Sequence, residues 1–192
     1  AASDVYKRQV KRFASKEGAL VVVDPAMGDD GKLYPVFGPE YVEAMRTLVK
    51  EATLITPNFT EACFLLDEPC DMTAPSAEKL RATTEKLAAL GAKQVVITSV
   101  PAGEDEIKVV SFDSVTGEYA ERTTPRIPFT TCGTGDVFTS VVTGALLRGE
   151  TLSAAAELAM TFVSRVMEYT KDAGTDPREG VIVEPCLKEL IR

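Results

Sequence analysis

Ala19-Leu20-Val21-Val22-Val23-Asp24-Pro25 is an apolar, β-branched run closed by an acid and a proline. The run has no polar alternation, so it reads as a strand buried on both faces, as in a parallel sheet. Pro25 cannot donate to a ladder, which places Asp24 at the strand's carboxyl end. In open α/β sheets that edge is where ligands bind.

The same grammar recurs downstream. Ala52-Thr53-Leu54-Ile55 is a short strand stopped by Thr56-Pro57, and Gln94-Val95-Val96-Ile97 is a third one ending in Thr98-Ser99. Between them lie helical patterns over Pro39 to Glu51, Glu61 to Leu66 and Ser76 to Leu90, the last stopped by Gly91. Strand–helix alternation at this spacing implies βαβ units and a parallel sheet. Val10 to Gly18 reads as a helix end, and Ala26 to Lys32 and Asp67 to Pro75 as loops. The pattern then changes. Ile107 to Asp113 and Gly117 to Thr123 read as an antiparallel hairpin appended to the sheet. Two long helices follow, one from about Val137 to Leu147 and one from Ser153, as cap, to Thr170. A polar loop covers Lys171 to Gly180, and a short helix runs from Glu184 to Ile191.

The chemistry concentrates at Thr131-Cys132-Gly133-Thr134-Gly135-Asp136, just before the first of those long helices. Gly133 and Gly135 permit a tight turn and close approach of backbone to ligand. Free N–H groups and the positive end of the macrodipole favour an anion such as a phosphate there. Asp136 is unhelpful to an anion unless it does chemistry, and a general base taking a proton from a hydroxyl is the natural role. It serves equally well as a first-turn residue of an ordinary helix. Asn58 and Glu61 have a similar double reading: the pair has capping-box spacing, and it also falls at the sheet edge occupied by Asp24. Thr98 and Ser99 reach the same edge with hydroxyls suited to phosphate oxygens. Asp29 and Asp30 face either a metal or nucleotide, or solvent.

Bulk composition narrows the classes. The 192 residues suffice for one domain with a core, and 45% hydrophobic with 26% charged residues is ordinary for a globular protein. A net charge of −8, from 21 basic and 29 acidic residues, argues against nucleic-acid or anionic-membrane partners. No apolar run approaches the ~20 residues of a membrane span. There is no histidine, which excludes Ser-His-Asp and Cys-His mechanisms. The four cysteines are scattered, consistent with reduced thiols and a cytoplasmic setting. A P-loop sequence is absent.

Three motifs occur in one order: Val23-Asp24-Pro25-Ala26-Met27-Gly28-Asp29, then Ile55-Thr56-Pro57-Asn58-Phe59-Thr60-Glu61-Ala62, then Gly133-Thr134-Gly135-Asp136. Together they resemble the ribokinase superfamily, and within it the vitamin B6 (pyridoxal/pyridoxamine) kinases, over nearly everything after the first nine residues. The resemblance implies a ribokinase-like α/β fold: a mostly parallel central sheet flanked by helices, with an antiparallel hairpin extension. It implies ATP and Mg²⁺ as cofactors and phosphorylation of the 5′-hydroxymethyl group of pyridoxal, pyridoxamine or pyridoxine. Asp136 matches the catalytic base, and the amides of Gly133, Thr134, Gly135 and Asp136 match the anion hole. Asp24 and Glu61 match positions near the Mg²⁺–ATP phosphates, acting through water. Asn58, Thr98 and Ser99 fall on the phosphate side, and Asp29 supports them. The hairpin and a loop through Arg122 to Pro125 fall where the family places adenine. A homodimer of the full-length protein is a further family expectation.

Two departures accompany the match. Ala26 stands where valine is usual. Residues 1–9 resemble translated adapter sequence, and 10–192 then correspond to the C-terminal part of a single kinase domain, without the family's first strands and main B6-contacting segment. That leaves a strand edge open and implies a fragment inactive alone. The alternatives are a hydroxymethylpyrimidine (phosphate) kinase, which usually carries cysteine at the place of Asp136, a ribokinase-type sugar kinase, and a non-catalytic nucleotide-binding fragment.

Overall fold

The structure is a computed structural model that describes residues 8–13, 15–16 and 18–191. A short helix α1 (8–13) leads to Gly18, which has φ +74°. The expectation of an appended tail over 1–9 falls, apart from the first two residues of α1, outside the described residues. The elements that follow are β1 (Val22–Val23), β2 (Gly28–Asp29), β3 (Lys32–Leu33), α2 (Pro39–Val49), β4 (Leu54–Ile55), α3 (Phe59–Leu66) and α4 (Ala77–Ala89). Then come β5 (Gln94–Pro101), β6 (Glu106–Asp113), β7 (Tyr119–Pro125), α5 (Thr134–Leu147) and α6 (Leu152–Ala173). Two 3₁₀ segments, Pro177–Glu179 and Glu184–Leu190, close the described chain.

The main sheet has the order β1-β4-β5-β6-β7. β1, β4 and β5 pair in parallel, and β6 and β7 pair antiparallel, so β7 again runs in the direction of β5. Four of the five strands therefore point one way, the mostly parallel sheet with a hairpin extension that the sequence implied. Neighbouring residues on each strand serve opposite layers. Val23, Ile55, Val95 and Ile97 pack with α2, α3 and α4, whereas Leu54, Val96 and Val109 pack with α5 and α6. A strand sandwiched between two helical layers must be apolar on both faces, which is why the runs show no alternation. Each fully buried residue of this kind contributes about 1.5–3 kcal/mol.

Several boundaries differ from expectation. Of the run 19–23 only Val22 and Val23 form the ladder, because β4 opposite them is itself only two residues long; Val21 O still accepts the Thr53 N–H at 2.8 Å. The loop expected over Ala26 to Lys32 is a hairpin, β2 against β3, turned by Asp30 (φ +48°) and Gly31 (φ +74°). Two successive positive-φ residues match the twist of a tight hairpin, and Asp and Gly tolerate them. β5 does not stop at Thr98-Ser99; it bulges between Ile97 and Val100 and continues to Pro101. Thr151, not Ser153, caps α6, its hydroxyl accepting the Ala154 N–H, and the helix runs on to Ala173 before Gly174 turns it off. Arg122 to Pro125 is strand rather than loop.

Candidate active site

The carboxyl ends of β1, β4 and β5 lie side by side because these strands are parallel and in register, Val23 opposite Ile55 and Ile55 opposite Val95. The pairing reaches one step further, where the Thr98 N–H donates to Pro57 O at 2.9 Å and Asn58 bridges Thr98. Asp24, Asn58 and Thr98 thus converge from three strands. Ser99 adopts φ +53°, a left-handed conformation uncommon outside glycine, at the β5 bulge. Bulges beside sites re-aim side chains in this way.

α3 begins with the full capping box. The Asn58 side chain accepts the Glu61 N–H at 2.9 Å, and Glu61 Oε2 accepts the Asn58 N–H at 2.8 Å. The cap reading is therefore correct for both residues, yet each also reaches further. Glu61 Oε1 accepts the Met27 N–H at 3.0 Å, and Asn58 Nδ2 donates to Gly28 O at 2.8 Å, so this turn holds the base of the β2–β3 hairpin. The hairpin tip is held by Thr60, whose hydroxyl accepts the Gly31 N–H at 2.9 Å. Glu61 is only 3% exposed. Burial pushes its carboxyl up to about 7 against the pull of its backbone donors, and the charge of Asp24 adds to the rise. Burial likewise pushes Asp24 up to about 6, helped by the charge of Asp136. Asp29 is raised too, mainly by burial, with the Asp30 amide and Arg126 opposing.

On the opposite wall stands the N-terminus of α5. Its cap is Gly133, at φ +91°, and no side chain hydrogen-bonds the first-turn amides, in contrast to α3, α4 and α6. Those amides are free for an anion. The wall is close to the strand ends: Asp24 Oδ2 lies 3.4 Å from where a Cβ on Gly135 would sit. Asp136 is in the exposed first turn of α5. Between the walls is a cavity of about 530 Å³, and every residue singled out from the sequence lines it: Asp24, Asp29, Asn58, Glu61, Thr98, Ser99 and Gly133 to Asp136.

Sequence reasoning missed three features of this cavity. Thr56 and Thr139 share a hydroxyl–hydroxyl hydrogen bond of 2.9 Å that ties the end of β4 to α5. No signal in the sequence links residues 83 positions apart. Arg126, just past β7, lines the cavity near Asp29. An apolar extension, including Ile107, Val109, Met160 and Val163, runs between β6 and α6. Thr124 and Pro125 belong to that extension, but Arg122 turns to Glu157 of α6 at 2.9 Å instead.

Among the described residues, no three Cys, Asp or Glu side chains cluster tightly enough to cage a metal ion. Asp24, half-buried, and Glu61, buried, are nonetheless two carboxylates raised by burial and by neighbouring negative charge. That donor set fits Mg²⁺, which is held by one or two carboxylates together with substrate phosphates rather than by an all-protein cage.

A family model described as phosphomethylpyrimidine kinase matches residues 2–180. The chain belongs to the phosphomethylpyrimidine kinase family. A pyridoxine kinase of Bacillus subtilis is 32% identical over 169 residues, spanning 86% of this chain and 60% of its own length. A Bacteroides thetaiotaomicron protein described as a phosphomethylpyrimidine kinase, solved with pyridoxal, is 36% identical with a TM-score of 0.91, covering 99% of this chain and 66% of that one. The pyridoxal kinase of Lactobacillus plantarum is 33% identical with a TM-score of 0.81, covering 96% and 66%. This member of the phosphomethylpyrimidine kinase family thus spans about 60–66% of the length of these relatives.

Proposed function

We propose that this chain carries the phosphate side of a kinase that moves the γ-phosphoryl group of ATP to the 5′-hydroxymethyl group of pyridoxal, pyridoxamine or pyridoxine. The observation that carries the reading is the facing of two walls across one cavity: the uncapped first turn of α5 with Asp136, and the strand ends with Asp24, Asn58, Glu61 and Thr98. The B6 substrate class is supported by the pyridoxine kinase relative and by the pyridoxal in the Bacteroides structure.

The proposed roles rest on the family resemblance together with this geometry. Phosphoryl transfer needs in-line positioning and stabilisation of charge on the equatorial oxygens. The amides of Gly133, Thr134 and Gly135 donate to those oxygens from a fixed direction, at the positive end of α5. Asp136 accepts the hydroxyl proton as the new O–P bond forms and the bond to the departing nucleotide breaks. Asn58, Thr98 and Ser99 hydrogen-bond the phosphate chain, and Asp29 supports the same wall. Asp24 and Glu61 would hold Mg²⁺ through water, and the ion would supply positive charge to the phosphate oxygens. Adenine occupies the apolar extension between β6 and α6. The reading extends to a homodimer of the full-length protein, checked by light scattering, and to a cytoplasmic setting. Among the described residues, no helix is long and apolar enough to cross a membrane.

One observation favours a second reading, phosphorylation of a hydroxymethylpyrimidine: the family description itself. Asp136 weighs against it, since those kinases usually carry cysteine there. Full-length protein incubated with ATP and, separately, pyridoxal, pyridoxamine and hydroxymethylpyrimidine decides between them by nucleotide release. Asp136→Asn is expected to lower kcat by about 10²–10⁴-fold with ATP still bound. An undiminished rate in that variant removes the base assignment.

A further inference from the structure

The glycine loop before α5 has no element of its own to hold it, yet it must present its amides in one direction. Residues 130–132 have no regular structure, and Gly133 adds the softest backbone there is. Among the described residues, two hydrogen-bonding contacts and one close approach reach this loop from a single segment beyond α6. Thr131 Oγ1 donates to Pro177 O at 2.8 Å. The Cys132 thiol points to Arg178 O at 3.7 Å. Val181 Cγ2 lies 3.6 Å from where a Cβ on Gly133 would sit.

That segment is itself braced. At one end, Asp176 caps the 3₁₀ turn by accepting the Arg178 N–H at 3.0 Å, and its carboxylate also pairs with the Arg178 guanidinium. At the other end, the Ile182 N–H donates to Thr170 Oγ1 at 2.9 Å. Thr170 is fully buried in α6 and donates in turn to Val166 O at 2.7 Å. Between the two ends stands Gly180, at φ +84° and ψ −173°, a region essentially restricted to glycine. A Cβ there would sit 3.4 Å from Cys132 O and 3.5 Å from Cys132 Sγ. The chain uses this glycine-only conformation where it passes against Cys132.

We propose that the segment Asp176–Val181 is a clasp that orients the phosphoryl-binding amides of Gly133 to Asp136, with Thr131 and Gly180 as its positioning residues. The inference rests on the reading of that loop as an anion hole. Thr131 lines the cavity, but its hydroxyl is engaged by Pro177 O, and both residues act through the direction of the loop. A donor set displaced by about 1 Å loses on the order of 10²-fold in rate, because it acts on charge that develops only in the transition state.

The test uses full-length protein and three variants. Thr131→Val keeps the shape and removes the donor. It is expected to lower kcat about tenfold or more while KM for ATP changes less than about twofold, since the ground-state nucleotide is held elsewhere. Thr131→Ser restores the donor and is expected to restore kcat. Gly180→Ala is expected to act like Thr131→Val, with a lowered melting temperature from the glycine-only backbone. A Thr131→Val enzyme with an unchanged kcat, or a loss that Thr131→Ser does not repair, overturns the proposal. NMR order parameters of the Gly133 and Gly135 amides separate this from the functional reading. If wild-type protein phosphorylates no acceptor, the proposed function fails, whereas the clasp stands if those amides fall below an S² of about 0.6 in Thr131→Val and falls if they stay rigid.

Discussion

Replacing Glu61 by glutamine should flatten the dependence of folding stability on pH. Glu61 is 3% exposed, and burial raises its carboxyl from 4.5 to about 7. At about 1.4 kcal/mol per pH unit, that gap makes the ionised form roughly 3 kcal/mol less favourable in the folded chain than in the unfolded one. The sign follows from proton counting. Below pH 4.5 both states hold the proton, so this contribution to stability is fully present. Between 4.5 and about 7 the unfolded state sheds its proton first, and stability falls as pH rises. Above about 7 the loss is complete. Glutamine cannot ionise, but its amide NH₂ must face one of the two donors that Glu61 now accepts, Met27 N–H or Asn58 N–H, at a cost of about 1–3 kcal/mol. That cost does not vary with pH. Urea unfolding at pH 4.5, 6 and 7.5 should show the wild type losing roughly 3 kcal/mol relative to Glu61→Gln across the series. The midpoints should converge toward neutral pH. Parallel stability curves for the two proteins refute the argument, because they mean that Glu61 ionises in the folded chain as easily as in water.

The same charges predict that Mg²⁺ binding is proton-coupled. Asp24 near 6 and Glu61 near 7 must give up protons to a cation, so calorimetric affinity for Mg²⁺ with ATP should strengthen between pH 5.5 and 7.5; a flat profile counts against a cation at these carboxylates. Gly28→Ala should lower stability by about 1–3 kcal/mol, because its Cβ would overlap the Lys32 carbonyl oxygen and sit 3.1 Å from Leu33 Cα; an unchanged melting temperature would contradict the hairpin geometry. Thr56→Val and Thr139→Val should each cost about 1 kcal/mol, and the double variant less than their sum, as one shared hydrogen bond requires.

The sequence alone determined the layers and the inventory of the site. Short β-branched apolar runs alternating with helical patterns read as strands covered on both faces, and their carboxyl ends name Asp24, Asn58 and Thr98 as neighbours. The spacing of Asn58 and Glu61 dictated a capping box, and the structure contains it. Gly133 and Gly135 before an apolar run dictated an open helix start. These are local rules, written within a few residues of one another. Tertiary structure decided whatever depends on what stands across from a residue. β1 forms a ladder over two residues because pairing needs a partner strand, which its own run cannot supply. Glu61 turned out to be both cap and hairpin anchor because Met27 folds back onto it from 34 positions away. The raised carboxyls come from burial and from neighbouring charge, Asp136 acting on Asp24 and Asp24 on Glu61, and burial has no signature in the motif. Thr56 met Thr139, and Thr131 met Pro177, only when segments 83 and 46 residues apart in the sequence came together. Local chemistry chose which groups the site contains; long-range packing chose which of them face one another, and at what charge.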